Sequence, residues 1–173
     1  MVHQQEGTFK PARVAVVTVS DTRNEATDKS GSLIVSLLEE KGHQLTSKTI
    51  IRDELLQIRA TVSRLVAEKI CSFIIVTGGT GLTERDVTPE ALAPLYSKAI
   101  PGFGELFRYL SYSEIGTATI QSRAEAGLCG HVVIFALPGS TGACRLALRS
   151  IILPQIDNTQ GPCNFRGVIP EPQ

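Results

Sequence analysis

The sequence predicts an α/β fold: a three-layer α/β/α arrangement around a mostly parallel central sheet. Three observations carry that prediction. RVAVVTV at 13–19, FIIVT at 73–77 and HVVIFAL at 131–137 are apolar, largely β-branched runs, as suits strands buried on both faces. Amphipathic segments at helical spacing fall between the early runs, so the first half reads β-α-β-α-β, the grammar of right-handed parallel crossovers. Each run then breaks into small or turn-forming residues, SDTR, GGTG and PGS, which let the backbone turn at the strand's carboxyl end.

Taken in order, residues 1–12 are polar and unpatterned and are expected to form a flexible arm, with residues 13–173 a single domain. After the first strand, residues 28–41 read as a helix: Asp28 can cap it, Leu33, Leu37 and Leu38 share a face, and Gly42 stops it. Residues 43–51 alternate polar and apolar, as on a strand near the sheet edge. Asp53 and Glu54 open a helix with Leu55, Ile58, Val62, Leu65 and Val66 on one stripe. After the strand at 73–77, Thr88-Pro89-Glu90 reads as N-cap, proline and first-turn acid of a short helix. Residues 97–100 suggest a short extended piece, and Pro101-Gly102-Phe103-Gly104 opens a helix carrying Leu106, Phe107 and Leu110. Gly127 and Gly130 are expected to bracket a turn before the strand at 131–137. Pro138-Gly139-Ser140 opens a last helix, which Pro154 should bend or end. From residue 158 the chain is rich in proline and glycine and is expected to be irregular.

The bulk properties narrow the function. The 173 residues suffice for one domain, and 42% hydrophobic with 20% charged residues is ordinary for a globular protein. Lys+Arg and Asp+Glu number 17 each, so the formal charge is zero, and nothing favours nucleic acid or an anionic membrane as partner. No apolar run reaches membrane-spanning length and no apolar leader segment is visible, so the expectation is cytoplasmic. Four widely spaced cysteines, without CxxC, read as isolated and mostly buried thiols. The histidines fall in the arm or at strand starts, the wrong rim for catalysis.

In a parallel sheet the carboxyl ends of the strands share one rim, where ligands bind. Four loops meet there, at 20–23, 52–53, 78–86 and 138–141. Gly78, Gly79, Thr80 and Gly81 suit a cradle of bare backbone amides for a phosphate; the same loop equally suits a tight turn with no ligand. It is neither a Walker A motif nor a GxGxxG fingerprint. Asp53 and Asp86 form the pair of interest, because Mg²⁺ is held by one or two carboxylates together with substrate phosphates. The competing reading makes Asp53 a helix cap and Asp86 a turn cap or a partner of Arg85. Pro138, Gly139 and Ser140 place amides at a helix start, and Ser122 with Arg123 offers a hydroxyl and a guanidinium.

SDTR at 20–23, GGTGLTERDVTPEA at 78–91, PGFGELFR at 101–108, SRAEAG at 122–127 and ALPGS at 136–140 together resemble the MoaB/MogA family of molybdenum-cofactor biosynthesis proteins. PGSTGAC at 138–144 and PCNF at 162–165 look closer to the MoaB branch. The resemblance spans roughly residues 12–165. It implies the molybdopterin-binding, MogA-like fold and assembly as homotrimers or hexamers. It also implies Mg²⁺- and ATP-dependent transfer of AMP onto the terminal phosphate of molybdopterin, with release of pyrophosphate. By motif, Asp53 and Asp86 would serve metal and catalysis. Ser20, Gly78, Gly79, Thr80, Gly81, Ser122, Arg123, Pro138, Gly139 and Ser140 would bind substrate. A non-catalytic molybdopterin-binding or scaffold protein of the same pathway is the alternative.

Overall fold

The computed structural model describes residues 8–167 and 169. Six strands form one sheet in the order β2-β1-β3-β6-β5-β4. Strands β1 (Arg13–Val19), β2 (Gln44–Ile51), β3 (Phe73–Thr77) and β6 (Val132–Leu137) run parallel. Strands β4 (Lys98–Ala99) and β5 (Glu125–Cys129) complete the sheet antiparallel. The three apolar runs thus sit side by side at its centre, and the polar alternation of β2 places it at an edge.

Side-chain alternation along the central strands divides the core into two layers. Val14, Val16, Phe73, Ile75, Val133 and Phe135 face α1 (Lys29–Glu40), α4 (Pro101–Ile115), α5 (Thr141–Ala147) and α6 (Leu153–Ile156). Ala15, Val17, Ile74, Val76 and Ile134 face α2 (Leu55–Ala67), through Ile58, Val62 and Leu65, and α3 (Thr88–Leu92), through Ala91 and Leu92. With period 2 and both faces covered, every residue of β3 and β6 is buried.

Asp28 caps α1 as expected: its carboxylate accepts from the Gly31 N–H at 2.9 Å and from the Thr18 hydroxyl at 2.9 Å, with Lys48 at 3.4 Å. Asp53 is not the cap of α2. That position falls to Glu54, which makes no side-chain cap bond. Thr88 is likewise not a cap; it lies in the first turn of α3 and donates its hydroxyl to the Gly78 carbonyl at 2.9 Å.

Four further differences from the sequence reading have physical causes. Gly127 lies inside β5 rather than in a turn, because the Tyr96 ring packs where its side chain would be; a Cβ there would meet the ring at 2.3 Å. Gly130, at φ +60°, makes the turn to β6 alone. Between α5 and α6 the chain takes a π turn over Leu148–Ile152, so the change of register precedes Pro154. The tail is partly packed: Phe165 lies 5.8 Å from the Phe135 ring, and Ile169 is buried. Of the expected arm, residues 1–7 lie outside the described residues, while Lys10 N–H and the Thr8 carbonyl are both bonded to the Asn158 side chain. The cysteines are free thiols, with Cys71 and Cys144 buried; burial pushes Cys71 up to about 11 and raises Cys144.

Candidate functional site

The carboxyl ends of β1, β3 and β6 converge on Gly78. Its N–H donates to the Leu137 carbonyl at 3.0 Å, and a Cβ built on it would lie 2.1 Å from the Val19 carbonyl oxygen. With φ at +102° the position suits glycine alone. Gly139 packs beside it, 3.4 Å from the Gly78 Cα to its own built Cβ. Three strand ends can approach this closely because no side chain intervenes.

Two hollows open on either side of that junction and share Val19, Gly78, Gly139 and Ser140. The smaller, of about 340 Å³, lies over the start of α1, lined by Ser20, Arg23, Lys29, Ser30 and Thr141. The larger, of about 520 Å³, lies between the 78–81 loop and α4. Thr80, Gly81, Asp86, Ser122 and Pro138 line one side of it, and Phe107, Ser111 and Ile115 the other. Both volumes suit small-molecule ligands. Ser30 donates to the Gly139 carbonyl at 2.7 Å, which ties the wall of the first hollow to the β6–α5 loop. Ser140 caps α5 by accepting from the Ala143 N–H at 3.3 Å. Ser20 accepts from the N–H groups of Thr22 and Arg23. Neither serine hydroxyl donates to a described residue, which leaves its hydrogen for a ligand.

The two acids flank the same loop. A Cβ on Gly79 would lie 2.6 and 2.8 Å from the Asp53 carboxylate oxygens, and one on Gly81 would lie 2.6 Å from Asp86 Oδ2. Asp53 is buried and accepts from the Val87 N–H at 3.4 Å. Burial raises its pKa, and the negative charges of Asp86 and Asp21 raise it further. Asp86 accepts from the Thr83 hydroxyl at 2.6 Å and the Thr83 N–H at 3.0 Å, bonds that hold its pKa below the ordinary value. Their pKa values are thus driven in opposite directions. Of the competing readings only one is realised: Asp86 caps its own turn, whereas Arg85 pairs with Asp21, at 2.8 Å, instead of with Asp86, and Asp53 does not cap α2.

The larger hollow therefore brings together Gly78, Gly79, Thr80, Gly81, Asp86, Ser122, Pro138, Gly139 and Ser140, with Ser20 in the adjoining one and Asp53 behind the glycine loop. Arg123 lines neither hollow. It donates to the carbonyls of Gly81 at 2.9 Å and Asp86 at 2.7 Å, and pairs with Glu90. The sequence reading passed over Asp21, which accepts from the Asp53 N–H at 3.3 Å as well as from Arg85. Its signal was its place in the loop after β1. Lys29 was also passed over because it reads as ordinary helix surface.

Two carboxylates flanking a loop of glycine amides are a donor set of the kind that would hold a magnesium ion arriving with phosphates and keeping several waters. Among the described residues no cluster of three or more His, Cys, Asp or Glu could hold a metal by itself, so the phosphates would supply much of the coordination. Among the described residues, too, no helix is long and apolar enough to cross a membrane.

Comparison with known proteins gives a consistent picture. A family model described as a probable molybdopterin binding domain matches residues 15–158. Molybdenum cofactor biosynthesis protein B of Escherichia coli (strain K12) is 49% identical over 157 residues, covering 91% of this chain and 92% of that protein. The protein of the same name from Bacillus subtilis (strain 168) is 46% identical over 155 residues, covering 89% and 91%. Among solved structures, a crystal structure of molybdenum cofactor biosynthesis protein B superposes with a TM-score of 0.83 at 47% identity, covering 85% of this chain and 92% of that one. The tungsten cofactor synthesizing protein MoaB from Pyrococcus furiosus superposes with a TM-score of 0.74 at 36% identity, covering 83% and 92%.

Proposed function

The chain belongs to the molybdopterin-binding domain family of molybdenum cofactor biosynthesis proteins, and from that premise we propose that it transfers AMP from Mg·ATP onto the terminal phosphate of molybdopterin. The observation that carries this reading is the seating of Asp53 and Asp86 against Gly79 and Gly81 of one loop. In the reaction a phosphate oxygen of molybdopterin forms a bond to the α-phosphorus of ATP. The bond from that phosphorus to the bridging oxygen breaks, and pyrophosphate leaves with the electron pair. The nucleophile is already an anion, so the protein has positioning and charge neutralisation to supply rather than a base.

The division of labour follows the geometry. The N–H groups of Gly79 and Thr80 donate to no described residue and can meet phosphate oxygens in the cradle. Asp53 and Asp86 would hold the magnesium, which when bound neutralises charge on the phosphates. Thr83 keeps Asp86 ionised and fixed. Ser20, Ser122 and Ser140 offer hydroxyls at the walls, and Phe107 and Ile115 give the larger hollow an apolar side for a ring system.

Assembly as homotrimers or hexamers in the cytoplasm belongs to the same proposal. Its support is an apolar surface along α4 and the 3-10 turn after it, where Leu106, Tyr109, Tyr112, Ile115 and Ile120 are all exposed. A monomer mass by light scattering at micromolar concentration would contradict it.

The test of the reaction is pyrophosphate release from Mg·ATP in the presence of molybdopterin. Asp86→Asn should stay folded and bind the pterin, yet lose roughly 10²-fold or more in release. Undiminished release in Asp86→Asn would remove that residue from the mechanism. Pterin binding by the native chain with no pyrophosphate released would replace the enzyme with a non-catalytic binder.

A further inference from the structure

The 122–124 segment runs extended between the 3-10 turn over Gly116–Gln121 and β5. Its two polar residues serve different walls. Ser122 lines the larger hollow, whereas Arg123 sends its guanidinium to the loop opposite. Nε meets the Gly81 carbonyl at 2.9 Å, one terminal nitrogen meets the Asp86 carbonyl at 2.7 Å, and the other pairs with Glu90 in the first turn of α3. One planar fork therefore grips both feet of the 81–86 excursion and the helix that follows it. Within that excursion the Asp86 carboxylate is held by the Thr83 hydroxyl and N–H and by the backbone of Gly81, one of the two feet. Its orientation thus depends on where the two feet stand.

The segment carrying Arg123 is itself braced. Arg108 of α4 donates to the carbonyls of Ser122 at 3.4 Å and Ala124 at 3.1 Å. Gly104, one turn earlier on α4, allows this approach, since a Cβ there would lie 2.4 Å from the Ala124 carbonyl oxygen. The linkage runs from α4 through Arg108 to residues 122–124, and from there through Arg123 to the loop that holds Asp86.

We propose that Arg123, backed by Arg108, is a positioning residue: a strut that fixes the spacing between the Ser122 wall and the glycine loop, and so the place of Asp86, without touching substrate. The fork geometry matters here. Lysine offers a single point charge on a flexible stem and cannot span two carbonyls and a carboxylate in one plane. The kinetic consequence rests on the adenylyl-transfer reading above; the structural consequence does not.

Two measurements on Arg123→Ala and Arg123→Lys test it. In hydrogen exchange, peptides covering residues 79–87 should exchange at least tenfold faster in both variants, while peptides from β1 and β6 keep native protection. In pyrophosphate release, the loss should fall on kcat, roughly 10²-fold for a displacement of about 1 Å, with KM for ATP within a few-fold of native. Added guanidinium should recover part of the Arg123→Ala loss, because it can refill the site between the two carbonyls. Unchanged exchange at 79–87 would overturn the strut. So would a loss confined to KM, the signature of a substrate contact. If the native chain releases no pyrophosphate, the adenylyl-transfer reading fails and the exchange data alone decide the strut. Should Arg123→Ala not fold, Arg123→Lys carries both readouts.

Discussion

Alanine at Gly79 would set a methyl carbon 2.4 Å from the Thr88 hydroxyl and 2.6 Å from Asp53 Oδ2, at a backbone φ of +65°. Two costs combine. A non-glycine residue in the left-handed region loses about 1–2 kcal/mol, and forcing atoms into a filled site costs about 1–3 kcal/mol more. The neighbours have little room to yield, because Thr88 is fully buried and bonded to the Gly78 carbonyl. The expected destabilisation is about 2–5 kcal/mol. For a domain of this size each kcal/mol lowers Tm by about 2–4 °C, so thermal unfolding should fall by at least about 4 °C. Gly102→Ala is the control. It lies exposed in the first turn of α4 with nothing within 4 Å of a built Cβ, and should gain about 0.5–1 kcal/mol from helix propensity. Circular dichroism melts of the two variants decide the matter. If Gly79→Ala melts with the native protein, or Gly102→Ala falls as far, the crowding inferred at the loop is wrong.

Asp28→Ala removes the cap of α1 and the partner of Thr18 and Lys48. Because Lys48 can still turn to Glu25 at 3.1 Å, the loss should be about 2–4 kcal/mol, read as a lower urea midpoint at unchanged slope. His43 is buried with Nδ1 accepting from the Ala12 N–H at 3.1 Å; burial lowers its pKa from 6.5, opposed by Asp157 and assisted by Arg166. The unfolded chain therefore takes up a proton near 6.5 that the folded chain refuses, and stability falls as pH drops through that value. His43→Asn, which keeps an acceptor near Nδ1, should flatten the dependence of Tm on pH between about 7.5 and 5.5. Asp53 titrates above the ordinary 3.8 because of burial and its acidic neighbours. Asp21→Asn removes one of those charges and releases Arg85, so the acid limb of AMP transfer should move to lower pH. An unmoved limb would detach Asp53 from that limb.

How much could be read from the sequence depended on whether a residue's neighbours were local. Strands β1 and β3 were legible because RVAVVTV and FIIVT can only be satisfied by burial on both faces, and the edge position of β2 followed from its polar alternation. Strand β5 was not legible: EAGLC lacks β-branched residues, and its glycine answers to Tyr96, 31 positions away. The π turn before α6 leaves no mark in composition. At the site, the glycine loop and both acids stood out, but an aspartate that caps a helix and one that faces a loop look alike in sequence. Only the fold shows Asp53 against Gly79 and Glu54 at the cap. Arg123 was read toward a ligand because it stands beside Ser122 as a guanidinium next to a hydroxyl; in an extended segment, adjacent side chains point to opposite sides, and of the two only Ser122 lines the hollow.

The most direct measurement is ³¹P NMR of the native chain mixed with molybdopterin, ATP and magnesium. The account predicts loss of the ATP resonances, appearance of free pyrophosphate, and a new phosphoanhydride signal on the pterin. ATP that persists unchanged beside protein-bound molybdopterin would contradict it.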